Sequence, residues 1–150
     1  IAAFAASVLG GASLAGRLVT GSLLDRFFGP RVAFVLFVGS AAGILLLSGA
    51  ASAFPGMAAA ALIGFGMGAE ANLTPYLLTR YFGLRSFSTL YGLTWTAYAI
   101  AGAAGPVFMG RFFDRTGSYT SLLVVLSGAA LAAALLMLAA PRYPAPESAN

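Results

Sequence analysis

Residues 32–69 read VAFVLFVGSAAGILLLSGAASAFPGMAAAALIGFGMGA, 38 consecutive positions without a charged side chain. A helix needs about 20 mostly apolar residues to cross a hydrocarbon layer about 30 Å thick. This stretch supplies two such lengths, and Phe54, Pro55 and Gly56 predict a tight turn between them. Three further uncharged runs cover residues 1–16, 86–110 and 116–141. Runs of this length belong to membrane proteins. The 150-residue chain is 60% apolar and 8% charged, against roughly 45–50% and 25% in soluble domains, which excludes a soluble enzyme. All eight basic residues are arginines, and there is no cysteine or histidine. A disulfide scaffold and a thiolate metal site are excluded, and the commonest metal ligand and general base are missing. No metal, cofactor or enzymatic activity is expected. The arginines are scattered between apolar runs, so they build no contiguous patch for nucleic acid.

Charges and breakers divide the chain into five predicted spans, about 1–24, 32–53, 57–79, 86–109 and 121–140. The expected fold is all-α, a polytopic membrane bundle of five transmembrane helices. No ten-residue alternating segments suggest a membrane β-barrel. Pro141, Pro144 and Pro146 introduce a short tail, 142–150, expected to be disordered. Arginines near span ends are retained in the cytoplasm. Arg26 and Arg31, Arg80 and Arg85, and Arg142 therefore predict a cytoplasmic first loop, third loop and tail. The fourth loop, with Arg111, Asp114 and Arg115, is a mild exception. The chain opens at Ile1, without an initiator methionine or a basic leader, and reads as a fragment of a longer protein. Gly64, Gly66, Gly68, Gly102, Gly105 and Gly110 predict close helix packing. Gly105 followed by Pro106 is also a candidate hinge.

Where the first span leaves the membrane, residues 21–31 read GSLLDRFFGPR. The glycine, the aspartate four residues on, the basic residue, the second glycine and the final arginine resemble the loop signature of the major facilitator superfamily. Asp25 and Gly29 are four apart, where the common signature has three. Gly110, Asp114 and Arg115 repeat the skeleton 89 residues after Gly21, Asp25 and Arg26. Three crossings separate the copies, so they fall on opposite membrane faces, as in the inverted repeats of these transporters. Gly68, Glu70, Pro75, Tyr76, Arg80, Gly83, Arg85, Tyr91 and Gly92 look like helices ten and eleven of bacterial members that handle small organic anions. The resemblance implies helices eight to twelve, the C-terminal half of a twelve-helix fold whose N-terminal half lies elsewhere in the same chain. It also implies a cytoplasmic charge gate at Gly21, Asp25, Arg26 and Arg31.

Depth singles out further residues. Arg17 lies eight positions before Asp25, roughly 12 Å inside the membrane edge at about 1.5 Å per residue. A guanidinium there is expensive unless it faces a wet cavity or a partner, so it is a functional candidate. The alternatives are snorkelling and pairing with Asp25. Its spacing also looks like the helix-eight arginine of monocarboxylate transporters, which implies a grip on a substrate carboxylate. Ser13 stands where that family has an acidic neighbour. Glu70 is the only acid within a span and is the proton-coupling candidate, since low-dielectric burial favours a protonated carboxyl. A fixed interhelical tie to backbone, Asn72 or Arg17 is the competing reading. Tyr91, Trp95, Tyr98 and Gly102 share one helical face. Trp95 and Tyr98, midway along the span, are candidates to shape a substrate site, against the alternative of lipid or helix packing.

The expected function is secondary active transport by alternating access of a small organic anion, a monocarboxylate, coupled to protons, in a bacterial inner membrane. Its partners would be that carboxylate and the surrounding membrane lipid. Export of amphipathic compounds, or a membrane assembly subunit that transports nothing, are the competing expectations.

Overall fold

The computed structural model describes residues 2–50 and 52–144. They form five helices, α1 Ala2–Arg26, α2 Gly29–Ser48, α3 Ala53–Phe82, α4 Phe87–Thr116 and α5 Thr120–Leu138. Four of them, α1, α2, α3 and α5, are long and apolar enough to cross a membrane. The fold is an all-α membrane bundle. α4, at 30 residues, has the length, but Thr94, Trp95, Thr96 and Tyr98 dilute its aliphatic content.

Two predicted breaks lie inside helices. Phe54, Pro55 and Gly56 form the first turn of α3 instead of a separate turn. A proline is tolerated there because a first-turn amide has no helical acceptor. The fourth loop is also shorter than predicted, because α4 runs on past Met109 and carries Arg111, Asp114 and Arg115 on its last turns. It stops at Gly117, whose φ of 69° is left-handed and whose N–H donates to the Phe113 carbonyl at 2.7 Å. Glycine suits that conformation because it has no Cβ to clash. Thr116 Oγ1 donates to the Phe112 carbonyl at 2.8 Å and reinforces the stop.

α3 is the hub, packing against α1, α2 and α4, while α5 packs on α2. Lipid-embedded helices gain little from apolar burial against one another, so they associate through close van der Waals contact. The α1–α3 seam does so with glycine. A Cβ on Gly68 would overlap the Ser13 carbonyl, one on Gly64 the Leu9 backbone, and one on Gly16 the Phe65 carbonyl. Gly43 gives α2 a similar approach to Leu62 and Ile63 of α3. By contrast, a Cβ on Gly102, Gly105 or Gly110 would meet nothing within 4 Å. The close packing expected of these three is absent among the described residues, since α4 leans on α3 alone to any extent and buries no residue. α4 continues through Pro106, as α3 does through Pro75.

Polar ties supplement the seams. Ser127 Oγ of α5 donates to the Ala41 carbonyl of α2 at 3.1 Å, and Tyr76 Oη of α3 donates to the Leu24 carbonyl of α1 at 3.2 Å. Thr20 on α1 is fully buried, and its Oγ1 finds no partner among the described residues.

Residues 142–144, placed by the sequence in a disordered tail, include an ordered contact; residues 145–150 lie outside the described ones. The Tyr143 hydroxyl accepts a 2.9 Å bond from the Gly29 N–H. Its ring packs on Phe28 at 4.8 Å and Tyr81 at 5.0 Å, and the Arg80 guanidinium lies over it at 5.7 Å. Aromatic and cation–π contacts outweigh the tail's freedom at this residue.

Helix alternation gathers Asp25, Arg26, Arg31, Arg80, Arg85 and Arg142 at one end of the bundle and Arg111, Asp114 and Arg115 at the other. The two glycine–aspartate–arginine skeletons thus stand at opposite ends.

Candidate functional site

α1 and α4 both pack on α3, and the three helices line a half-open cavity of about 170 Å³, beside the middle of α1 and α3 and the first half of α4. That is an order of magnitude more than one water molecule requires. α1 contributes Ser13 and Arg17, one turn apart. α3 contributes Met67, Glu70, Ala71 and Thr74, which follow one helical face at steps of three, one and three. α4 contributes Tyr91, Thr94, Trp95 and Tyr98 at the same steps. Arg17, Glu70, Trp95 and Tyr98, each picked out separately in the sequence, line the same space. Their mutual approach depends on the α1–α3 seam, where Gly16 and Gly68 bring the two backbones together within a turn of Arg17 and Glu70.

The wall on α4 is an aromatic ladder. Tyr91 meets Trp95 edge-on with ring centroids 6.2 Å apart, and Trp95 meets Tyr98 likewise at 5.3 Å. Trp95 and Tyr98 are each about half exposed, at 51% and 52%, so their faces remain available to a ligand. The opposite wall is polar. Asn72, next to the lining residue Ala71, donates from Nδ2 to the Arg17 carbonyl at 2.7 Å. Asn72 thus ties α3 to the α1 backbone, and the alternative tie between Asn72 and Glu70 is not formed among the described residues. Arg17 and Glu70 are both exposed to the cavity side, and neither forms an ion pair among the described residues, with each other or with Asp25.

Pro75 adds a further acceptor. It has no amide hydrogen, so the Ala71 carbonyl lacks its usual partner four residues on, and Ala71 lines the cavity. Ser13, Met67, Thr74 and Thr94 were not singled out as site residues by the sequence. Their signal was helical spacing from Arg17, Glu70 and Tyr98. Without knowledge of which faces meet, that signal could not separate cavity from lipid. Arrangements of this kind, with one guanidinium, one carboxyl, hydroxyls and an aromatic wall, suit a small anion with an apolar body. Among the described residues no group of histidine, cysteine or acidic side chains has the makings of a metal site.

The residues expected at the charge gate lie away from this cavity. Asp25 and Arg26 are exposed on the last turn of α1, and Gly21, half-buried, faces Asn72, whose Nδ2 would be 3.8 Å from an added Cβ. Arg31 stands on the first turn of α2 and lines a different cavity.

The chain is 34% identical over 140 residues to an uncharacterised MFS-type transporter of Pseudomonas aeruginosa, a match covering 86% of this chain and 33% of that protein. It is 34% identical over 100 residues to the uncharacterised MFS-type transporter YhjX of Escherichia coli, covering 66% and 25% respectively. The chain is related to major facilitator superfamily transporters. A fungal member, the MFS transporter asaE of Aspergillus flavus, is 28% identical over 134 residues, 87% of this chain and 30% of its own length. The chain therefore spans about a third or less of the major facilitator relatives it matches. No protein-family model and no solved structure matches it.

Proposed function

We propose that this chain is the C-terminal bundle, helices eight to twelve, of a major facilitator secondary transporter that carries a small monocarboxylate together with a proton by alternating access. The observation that supports this reading most is the convergence of Arg17, Glu70, Trp95 and Tyr98, from three helices, on one cavity.

In this reading Arg17 receives the carboxylate through its planar fork, and Trp95 and Tyr98 hold the apolar part. Moving an anion into a low-dielectric cavity costs more than one guanidinium offsets if an ionised Glu70 competes for it. Protonation of Glu70 removes the competitor, so proton and anion occupy the site together and leave together. One anion and one proton cross per cycle, which moves no net charge. Gly21, Asp25 and Arg26, at the end of α1, belong to the cytoplasmic gate together with Arg31 at the start of α2. The protein sits in the bacterial inner membrane with its tail in the cytoplasm, as the arginine-rich end suggests.

Reconstituted full-length protein provides the test. Labelled small carboxylates should accumulate in proteoliposomes when an inward proton gradient is imposed, and lipophilic cations should not. Arg17→Gln should abolish carboxylate uptake. Retained affinity for the anion in that variant would remove the role assigned to Arg17, and uptake of lipophilic cations alone would make the protein an exporter of amphipathic compounds.

A further inference from the structure

A second cavity, of about 580 Å³, opens at the arginine-rich end between α2, α5 and the segment that follows α5. It shares no lining residue with the cavity of Arg17 and Glu70. Arg31 and Arg142 line it from two different segments, and no acidic side chain is among its lining residues. Both guanidinium groups are exposed. Met137 and Leu138, on the last turn of α5, continue the cavity downward with aliphatic surface toward the span. Phe28 and Tyr143 close it on the loop side, and the Tyr143 bond to Gly29 holds the segment carrying Arg142 against α2.

We infer that this cavity binds the headgroup of an anionic phospholipid, its phosphate between Arg31 and Arg142 and the start of an acyl chain along Met137 and Leu138. Each part of the cavity matches a part of that ligand. Planar guanidinium forks match phosphate oxygens bidentately. Basic pockets between helices at a membrane surface attract anionic headgroups, and the aromatic pair sits where ring side chains favour the interface. The arginines stand on a helix turn and on a docked segment, so little backbone freedom is lost on binding. A soluble phosphate ester shares the headgroup chemistry but has no use for the aliphatic end of the cavity.

Thermal unfolding of the full-length protein is the test, in phosphatidylcholine vesicles with and without phosphatidylglycerol, and in phosphatidylcholine with added glycerol phosphate. Phosphatidylglycerol should raise the midpoint by several degrees, and glycerol phosphate should not. The double variant Arg31→Gln/Arg142→Gln should lose that rise while keeping its midpoint in phosphatidylcholine alone, and Arg85→Gln should keep the rise. Each basic group near a membrane surface contributes roughly fivefold to anionic lipid binding. Lipid retained through native mass spectrometry should accordingly fall by about 25-fold in the double variant. A double variant that keeps the full rise overturns the site, and an equal rise with glycerol phosphate would make the ligand a free phosphate ester. Tyr143→Ala releases the segment without touching either arginine, and it should reduce the response partway. An undiminished response in that variant counts against the site as well.

Discussion

The Asn72 side-chain amide and the Arg17 backbone carbonyl are joined by a 2.7 Å hydrogen bond between α3 and α1. The bond sets the register in which Arg17 and Glu70 face one cavity. Interhelical bonds of this sort contribute about 0.6 kcal/mol on average and up to about 1.7 kcal/mol in a membrane. Asn72→Leu should destabilise the protein within that range, read as a lowered midpoint of chemical unfolding in detergent. An unchanged midpoint would mean that glycine packing alone holds the pair.

The glycines predict opposite signs. Gly68→Ala places a methyl on the Ser13 carbonyl and should cost about 1–3 kcal/mol, the usual penalty for overpacking. Gly39→Ala meets nothing within 4 Å and should stabilise by about 0.5–1 kcal/mol through reduced chain entropy in a helix. Thermal unfolding of the two variants in one detergent checks both.

Thr20 should tolerate loss of its hydroxyl. A buried, unpartnered polar atom costs about 1–3 kcal/mol, so Thr20→Val should be neutral or stabilising while Thr20→Ala, which leaves a void, should destabilise. A large loss in Thr20→Val would reveal a partner for the hydroxyl in the native membrane.

Tyr143 makes a pH prediction. Burial pushes its phenol above the ordinary value, opposed by the Gly29 hydrogen bond and aided by Tyr76 and Tyr81. A raised folded-state value means that its stabilising contribution is complete below the unfolded value and is lost as pH rises through the folded one. The contact therefore persists at neutral pH and opens only under alkaline conditions. An alkaline absorbance titration should show Tyr143 among the tyrosines that ionise later than an exposed one, and Tyr143→Phe should remove its share of that late phase. Tyr143→Phe should also cost about 1 kcal/mol, the ordinary net value of a hydrogen bond.

Coupling is tested at Glu70. Glu70→Gln mimics the protonated acid, so carboxylate exchange should persist while uphill uptake driven by a proton gradient is lost. Uphill uptake that survives would assign coupling to another group. Under the proposed function, Trp95→Ala should raise KM for a transported carboxylate by roughly tenfold, as expected for about 1.4 kcal/mol of lost contact, with a smaller change in kcat.

The long uncharged runs alone determined that the chain is a set of apolar helices, because about 20 residues without charge have few other stable uses. The same physics made Arg17 and Glu70 visible: a charge in such a run is costly enough to need a reason. Helix ends were less legible. The fourth span's extension to Thr116 depends on Gly117 adopting a left-handed turn, and Pro55 serves a helix start as readily as a break.

Only the tertiary structure decided which faces meet. Glycine occurs in every span, yet Gly16, Gly64 and Gly68 make backbone contact while Gly102 and Gly105 do not; a small side chain permits close approach without dictating the partner. The same holds for Arg17, Glu70, Trp95 and Tyr98. Helical periodicity assigns each to a face of its own helix, and the packing of α1 and α4 on α3 turns those faces toward a common space. Arg142 and Tyr143 were part of an unremarkable polar tail until the packing of Tyr143 on Phe28 and Tyr81 gave the segment a place.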